Sequence, residues 1–293
     1  MSKPMIEYAW VIDMWFLFVV LYVILAVIFT QAYKIVTKTS KSDGTLTVLL
    51  ELIAGTSILL LSPLFGFSFP TDWRVYALLV LACVFYGISD RINTTVRSGV
   101  EASTFSIIKQ LSTVFMIIAG LLFFKEEFVW KKIVGAVLII FSNVFIFYKK
   151  GNHKLDKYVL LGILSNVVYS IALFLDVNIS DNFNLAFYVA STLLIPCLFI
   201  TIIEKVKWEN VKKEFKNGNK KAILATSLCW STMIVCQLRA YQLGEATSVA
   251  PLCALTVIGN VIVGYVFLKE RDNLWKKIIA AMLILISVFL IKG

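Results

Sequence analysis

Residues 101–126 read EASTFSIIKQLSTVFMIIAGLLFFKE, and residues 245–270 read EATSVAPLCALTVIGNVIVGYVFLKE, the same pattern 144 positions later. Each stretch opens with Glu-Ala, continues as an apolar run and closes with Lys-Glu. After one inserted residue a further match follows, because Trp-Lys-Lys-Ile occurs at 130–133 and again at 275–278. So many matches at one offset do not arise by chance. We therefore divide the chain into two copies of one unit, residues 1–150 and 151–293.

The composition indicates that both copies lie in a membrane. Of the 293 residues, 59% are hydrophobic and 16% are charged, whereas soluble domains average about 45–50% apolar and about 25% charged residues. A soluble fold cannot hide so much apolar surface, which excludes soluble enzymes, disordered chains and disulfide-rich secreted domains. An apolar helix of about 20 residues spans a bilayer. Ten such runs are present, at residues 14–33, 45–64, 74–93, 103–124, 130–148, 157–176, 185–203, 221–241, 246–268 and 274–291.

Five spans in each copy predict an all-α membrane protein with ten transmembrane helices in two inverted five-helix repeats. Because five is odd, the second copy crosses the bilayer in the opposite sense to the first. Inverted repeats of this kind surround a site near the midplane that opens alternately to each side. The alternative is a duplicated bundle that transports nothing, such as a scaffold or a receptor, but no spacer is long enough to fold as a soluble domain.

The stretch at 102–135 resembles the characteristic half of the EamA-type transporters of the drug/metabolite transporter superfamily. Small residues open a helix, an aliphatic run follows, a glutamate ends it, and a Gly-Ala pair lies in the next helix. Thr113 stands where those proteins often carry a proline, and Val257 stands at the repeat-related position. The resemblance extends over two EamA-like five-helix repeats and implies a transporter of small molecules, without defining the solute.

We predict a secondary transporter of small organic metabolites that works by alternating access, with an amino-acid-like or carboxylate-bearing solute. Efflux of drug-like organic cations in exchange for protons is the alternative. The chain has no nucleotide-phosphate loop, no catalytic motif and a single histidine, which argues against ATP-driven pumping, an enzyme or a bound cofactor. The expected partners are the lipid bilayer, the solute and protons or another coupling ion, with no nucleic acid, and a monomer is plausible.

Polar residues inside the spans are the candidate solute contacts, because charged groups in a bilayer usually face a cavity or a partner. Lys109 lies about a turn and a half inside the fourth span, on a polar face with Gln110. Its positive charge favours an anionic solute. A structural ion pair and snorkelling to the interface are the alternatives for Lys109. Glu51 is its candidate partner; without one, a buried glutamate would hold its proton and could couple solute to proton movement.

Further candidate contacts lie on the third, sixth, eighth and ninth spans, although such residues also serve to bind helices to each other. They are Tyr86, Asn166, Tyr169, Trp230, Gln237, Tyr241 and Asn260. Other polar residues receive a structural interpretation. We interpret Asp90, Arg91 and Arg97 as a hydrated helix end with an ion network, and Glu126 and Glu270 as structural residues where their helices reach the headgroups.

Charge bias and family resemblance disagree about the orientation. Twenty of the 28 Lys and Arg residues fall on the face opposite both termini, and seven fall on the terminal face. The positive-inside rule then places both termini outside the cytoplasm, whereas the resemblance implies cytoplasmic termini. We favour the charge bias, for a multi-pass protein of the plasma membrane (a bacterial-type inner membrane). Labelling of a cysteine in the 207–219 loop from outside intact cells would contradict this orientation.

Overall fold

A computed structural model of the protein describes residues 5–66, 68–127, 129–147 and 156–292, and the regular structure of these residues is helical. Two short 3₁₀ helices, Ser62–Leu64 and Ser180–Asn182, lie between longer ones. The α-helices are α1 (Met5–Thr39), α2 (Asp43–Leu60), α3 (Trp73–Gly99), α4 (Ala102–Ile108), α5 (Leu111–Leu122), α6 (Trp130–Phe147), α7 (Lys157–Ile179), α8 (Leu185–Ile203), α9 (Trp208–Asn217), α10 (Lys220–Leu243), α11 (Ala246–Cys253), α12 (Thr256–Phe267) and α13 (Leu274–Lys292).

Eight helical segments of the described residues are long and apolar enough to cross a membrane. They coincide with the first four predicted spans and with the sixth to ninth. The fifth and tenth predicted spans fall on α6 and α13, and α6 contains a shorter apolar stretch, Ile133–Ser142. Eight of the ten predicted spans therefore have a matching helix of spanning length, and the count of ten stays a prediction.

The two copies pack against each other with approximate two-fold symmetry. Helix α1 packs against α10 and α3 packs against α7, and the two pairs are equivalent because α7 and α10 are the repeat mates of α1 and α3. Helix α2 also packs on its own mate α8, and α6 packs on its mate α13. Such self-complementary packing is typical of an interface between two related units. The chain therefore forms one bundle with a two-repeat architecture.

The fourth and ninth spans are each interrupted, which the continuous apolar runs do not predict. Lys109 and Gln110 separate α4 from α5, and Ala254 and Leu255 separate α11 from α12. Around each interruption the amides bond to carbonyls three residues back, as Gln110 N does to Ile107 O at 3.0 Å. This tighter 3₁₀ pattern inside a helix often marks a hinge or a functional site. The first copy is interrupted without proline, since Ile107 occupies the position of Pro251.

Helix α3 continues six residues beyond the predicted end of the third span, and its last turns are buried. Asp90 and Arg97 are 8% and 5% exposed, so the prediction of a hydrated helix end is wrong for these two residues. Neighbouring helices cover this end of α3, because Lys34 Nζ donates to the carbonyl oxygens of Arg97 and Ser98 at 2.7 and 3.2 Å. Arg91 is partly exposed and forms an ion pair with Glu204, the residue that follows α8.

Candidate functional site

A cavity between the two copies contains three charged side chains and a wall of aromatic rings. Helices α1, α3 and α4 of the first copy line it together with α7, α8 and α10 of the second. The charged residues are Asp90, Arg97 and Lys109. The aromatic residues are Phe29, Tyr33, Tyr86, Phe105, Tyr169 and Trp230. Because both copies contribute, a relative movement of the copies would change the shape of this cavity.

Aromatic rings hold the guanidinium group of Arg97 in the cavity wall. Its central carbon lies 3.8 Å from the ring centroid of Phe105, 4.7 Å from that of Tyr33 and 4.9 Å from that of Phe29. Cation–π contacts of this kind stabilise a desolvated cation. They do not engage the N–H donors, which lie in the plane of the guanidinium group. The guanidinium forms no ion pair with another described residue. Its donors are therefore available to a planar anion such as a carboxylate.

The ammonium group of Lys109 lies at the interruption between α4 and α5, where it enters the cavity. Its Nζ is 4.8 Å from the ring centroid of Tyr169, and it too forms no ion pair with a residue in the described part of the chain. Asp90 interacts electrostatically with both Lys109 and Arg97 but directly pairs with neither. Two cations therefore face one carboxylate, and the cavity carries an excess of positive charge.

The cavity is too small for a metabolite in this conformation. Its volume is about 40 Å³, enough for about three water molecules, whereas ligand sites usually measure about 300–1,000 Å³. A second cavity of about 20 Å³ lies on the other side of Lys109, against Gln110, Gln237 and Tyr241. The two cavities beside Lys109 therefore have no room for a molecule of metabolite size in this conformation.

Seven of the ten predicted solute contacts meet around these two cavities. Lys109, Tyr86, Tyr169 and Trp230 line the first cavity. Lys109 also lines the second cavity, together with Gln110, Gln237 and Tyr241. The hydroxyl of Tyr169 donates to Gln237 Oε1 at 3.3 Å and so connects the two groups.

The other three predicted contacts, Glu51, Asn166 and Asn260, line neither cavity. The Asn166 amide donates to the carbonyl of Gly162 one turn earlier, at 2.7 Å. Asn260 accepts a hydrogen bond from Gln31 at 2.9 Å and its amide donates to a hydroxyl of α4 at 3.1 Å, so it links three helices. Glu51 is 0% exposed, and neither carboxyl oxygen is hydrogen-bonded to a described residue. The direct pair of Glu51 with Lys109, one of the two alternatives, therefore does not form.

Two charged residues of the cavity, Asp90 and Arg97, were not among the predicted contacts. The sequence does contain the signal, because Tyr86, Asp90, Asn93 and Arg97 recur at four, three and four residues and so share one face of a helix. All four line the cavity. The sequence predicts that the third span ends at residue 93, where the apolar run stops. Arg97 is therefore not expected to be buried.

The glutamate that closes each repeated stretch caps a helix of the other copy. Glu270 accepts hydrogen bonds from the backbone amides of Ala102 and Ser103 at 2.7 and 3.1 Å, at the start of α4. Glu126 accepts from the amides of Ala246 and Thr247 at 2.8 and 2.9 Å, at the start of α11. A carboxylate at a helix N-terminus satisfies unpaired amides and interacts favourably with the helix dipole. The two caps are therefore equivalent links between the copies.

The repeated sequence explains how each glutamate reaches its helix. The preceding lysines, Lys125 and Lys269, adopt positive φ angles of 53° and 55° and reverse the chain. A Cβ atom at Gly264 would lie 2.7 Å from Glu270 Oε2, and one at Gly120 would lie 2.9 Å from the corresponding Glu126 oxygen. Glycine at these positions therefore makes room for the carboxylate against the helix.

The two caps lie at opposite ends of the bundle, because Ala102 and Glu126 are at opposite ends of the same span. At the Glu270 end, Lys277 of α13 also forms an ion pair with Glu101, the residue preceding α4. Partial burial raises the pKa of the Glu101 carboxyl above its ordinary value, and the adjacent ammonium opposes that shift. Each end of the bundle thus has its own electrostatic contact between the copies.

The fold and the cavity define a helical membrane protein whose candidate site lies between two related halves. The profile of the EamA-like transporter family matches residues 13–148 and again residues 156–293. The chain therefore belongs to the EamA-like transporter family, whose members are membrane transporters of small molecules, and the resemblance is confirmed. A solved crystal structure that is 13% identical shares the fold, with a TM-score of 0.65 over 94% of each chain. No protein of curated function matches the sequence significantly.

Proposed function

We propose that the protein is a secondary transporter that carries a small organic solute with a carboxylate group. The observation that supports this proposal is the pair of cations, Arg97 and Lys109, which face one cavity without forming an ion pair with another described residue. Desolvated cations are costly unless an anion approaches them. The solute carboxylate would supply that anion and neutralise the excess charge.

The cavity walls favour a solute with an apolar, preferably aromatic, body. Rings of Phe29, Tyr33 and Trp230 lie within 5.3–5.9 Å of one another, centroid to centroid. Aromatic groups at such distances form offset and edge contacts that stabilise a further ring. Asp90 can accept a hydrogen bond from an ammonium group of the solute, so an amino-acid-like zwitterion also suits the site.

Alternating access is the proposed mechanism, in a plasma-membrane protein with ten spans as two inverted five-helix repeats, 1–150 and 151–293. The small volume of the cavity supports it, because a solute of metabolite size would enter only when the copies separate at one end. The interruptions beside Lys109 and Ala254 provide repeat-related hinges, and discontinuous helices at the midplane are typical of such carriers. Charge bias continues to favour termini outside the cytoplasm.

Efflux of organic cations is the second candidate function. Asp90 and the surrounding rings favour it, because a carboxylate and aromatic faces both attract cations. Glu51 lies outside the cavity, so Asp90 would be the anionic contact in that case. The two candidates differ in the sign of the charge on the solute, which a matched set of probes can distinguish.

Counterflow in proteoliposomes tests the proposal with three probes that share a phenyl ring. Phenylpyruvate is an anion, phenylalanine a zwitterion and phenethylamine a cation. We expect exchange of phenylpyruvate and phenylalanine to exceed that of phenethylamine by about 10–150-fold, since a charge-assisted hydrogen bond contributes about 1.5–3 kcal/mol. Protein-free liposomes give the background. Exchange of phenethylamine alone would support the second candidate, and exchange of none would contradict both.

A further inference from the structure

Glu51 is a buried acid that the proposed solute site does not use. It lies in the middle of α2 with 0% exposure, and both of its carboxyl oxygens lack a hydrogen-bond partner among the described residues. Buried polar groups are almost always hydrogen-bonded, and an exception needs an explanation. An ionised carboxylate in this position would be a desolvated charge without compensation.

The groups that face Glu51 do not compensate such a charge. Asp90 of α3 interacts electrostatically with Glu51, as do the hydroxyl of Tyr33 on α1 and the thiol of Cys197 on α8. The described part of the chain brings no lysine or arginine into an ion pair with it. Its charged neighbour is another carboxyl group, and two acids in a low dielectric do not both ionise readily. Burial among these groups therefore disfavours the ionised form of Glu51.

A chain of hydrogen-bonded hydroxyls connects the cavity wall to α2 one turn before Glu51. The hydroxyl of Tyr33, which lines the cavity, lies 2.7 Å from that of Thr94, and Thr94 lies 2.6 Å from Thr47. Thr47 is one turn before Glu51 on α2. Asp90 both lines the cavity and interacts electrostatically with Glu51. A charge placed beside Asp90 in the cavity would therefore also alter the electrostatic environment of Glu51.

We propose that Glu51 is the binding site of a coupling proton and that the proton travels together with the anionic solute. This inference rests on the proposed function. A solute carboxylate adds negative charge beside Asp90, which favours the protonated form of Glu51. When the cavity opens to the other side and the solute leaves, water reaches Glu51 and accepts its proton, so that Glu51 is left as a hydrated carboxylate. One proton then accompanies each solute anion, as in symport. A cationic solute would instead displace the proton.

The protonation of Glu51 is measurable without any solute. The infrared carbonyl band of protonated carboxyl groups is recorded for the purified protein at neutral pH, in comparison with E51Q and with E209Q as the matched control on the exposed surface of α9. Glutamine has the shape of the neutral acid, so E51Q is expected to fold. We expect the band to be weaker in E51Q and unchanged in E209Q. A band of equal strength in E51Q would overturn the proposal.

Coupling is measured with phenylpyruvate in proteoliposomes under an inward proton gradient. The unmodified protein and E209Q should accumulate the probe above its outside concentration. E51Q should retain counterflow but lose gradient-driven accumulation, because its side chain carries no exchangeable acid proton. Accumulation by E51Q at the level of the unmodified protein would overturn the coupling role. If the unmodified protein shows no counterflow, the proposed function fails, whereas the infrared comparison still decides whether Glu51 binds the proton.

Discussion

Replacing Lys109 with methionine is expected to raise the KM for phenylpyruvate counterflow by about 10–150-fold while the fold is retained. Methionine keeps the length of the apolar stem but removes the ammonium that enters the cavity. The loss corresponds to one hydrogen bond between charged groups, about 1.5–3 kcal/mol. Folding should survive because Lys109 forms no ion pair with another described residue. Thermal unfolding in detergent checks that point, with Lys212→Met on the exposed face of α9 as the control.

A double substitution separates solute binding from a purely structural role of Lys109. If the ammonium only neutralised Asp90, Asp90→Asn would remove the need for it, and the double variant would regain the original KM. If Lys109 binds the solute carboxylate, the double variant should stay as impaired as Lys109→Met alone. Such cycles isolate the interaction between two neighbouring groups. Recovery of the original KM in the double variant would show that Lys109 does not bind the solute.

Replacing each capping glutamate singly with glutamine is expected to shift the protein towards an open state. The two variants should open towards opposite sides of the membrane. Glu270→Gln weakens the link at the start of α4, and Glu126→Gln weakens the link at the start of α11, at the other end of the bundle. Loss of the carboxylate costs about 1–3 kcal/mol for the amides left unpaired. A bias of that size changes the ratio of two conformations by about 5–150-fold.

Accessibility of a single cysteine at Met233, which lines the cavity, measures this shift after the five native cysteines are replaced. Membrane-impermeant reagents are applied from each side of sealed vesicles. Glu270→Gln should increase labelling from one side and Glu126→Gln from the other, whereas Asp272→Asn, at an exposed position near Glu270, should change neither. Labelling that changes in the same direction in both variants would mean that the caps only stabilise the fold.

The architecture could be predicted from the sequence because it depends on repetition and on runs of apolar residues. The match of 101–126 to 245–270 identifies the two copies, and the apolar runs locate the helices. The capping role of Glu126 and Glu270 could not be derived in this way, since each glutamate acts on the other copy. A repeat shows that two segments are alike, but not which of their surfaces meet.

The cavity could be predicted only in part, for a physical reason that Arg97 illustrates. Polar residues at the end of an apolar run are predicted from the sequence to be exposed to water. A neighbouring helix can nevertheless cover them, as α1 covers the last turns of α3. Glu51 illustrates the converse case. Charge alone suggests a pair with Lys109, but pairing also depends on which face of α2 turns towards α4. Contacts between helices require the relative rotation of those helices, which periodicity does not supply.

The most direct test of a carboxylate site between the two copies is an experimental structure with 4-bromophenylpyruvate, whose bromine is located by anomalous scattering. We predict that the bromine lies among Phe29, Tyr33 and Trp230 and that the carboxylate lies within hydrogen-bond distance of Lys109 Nζ or the Arg97 guanidinium. The cavity should be larger than the present 40 Å³. A probe found only on the lipid-facing surface, or with its carboxylate away from both cations, would contradict this account.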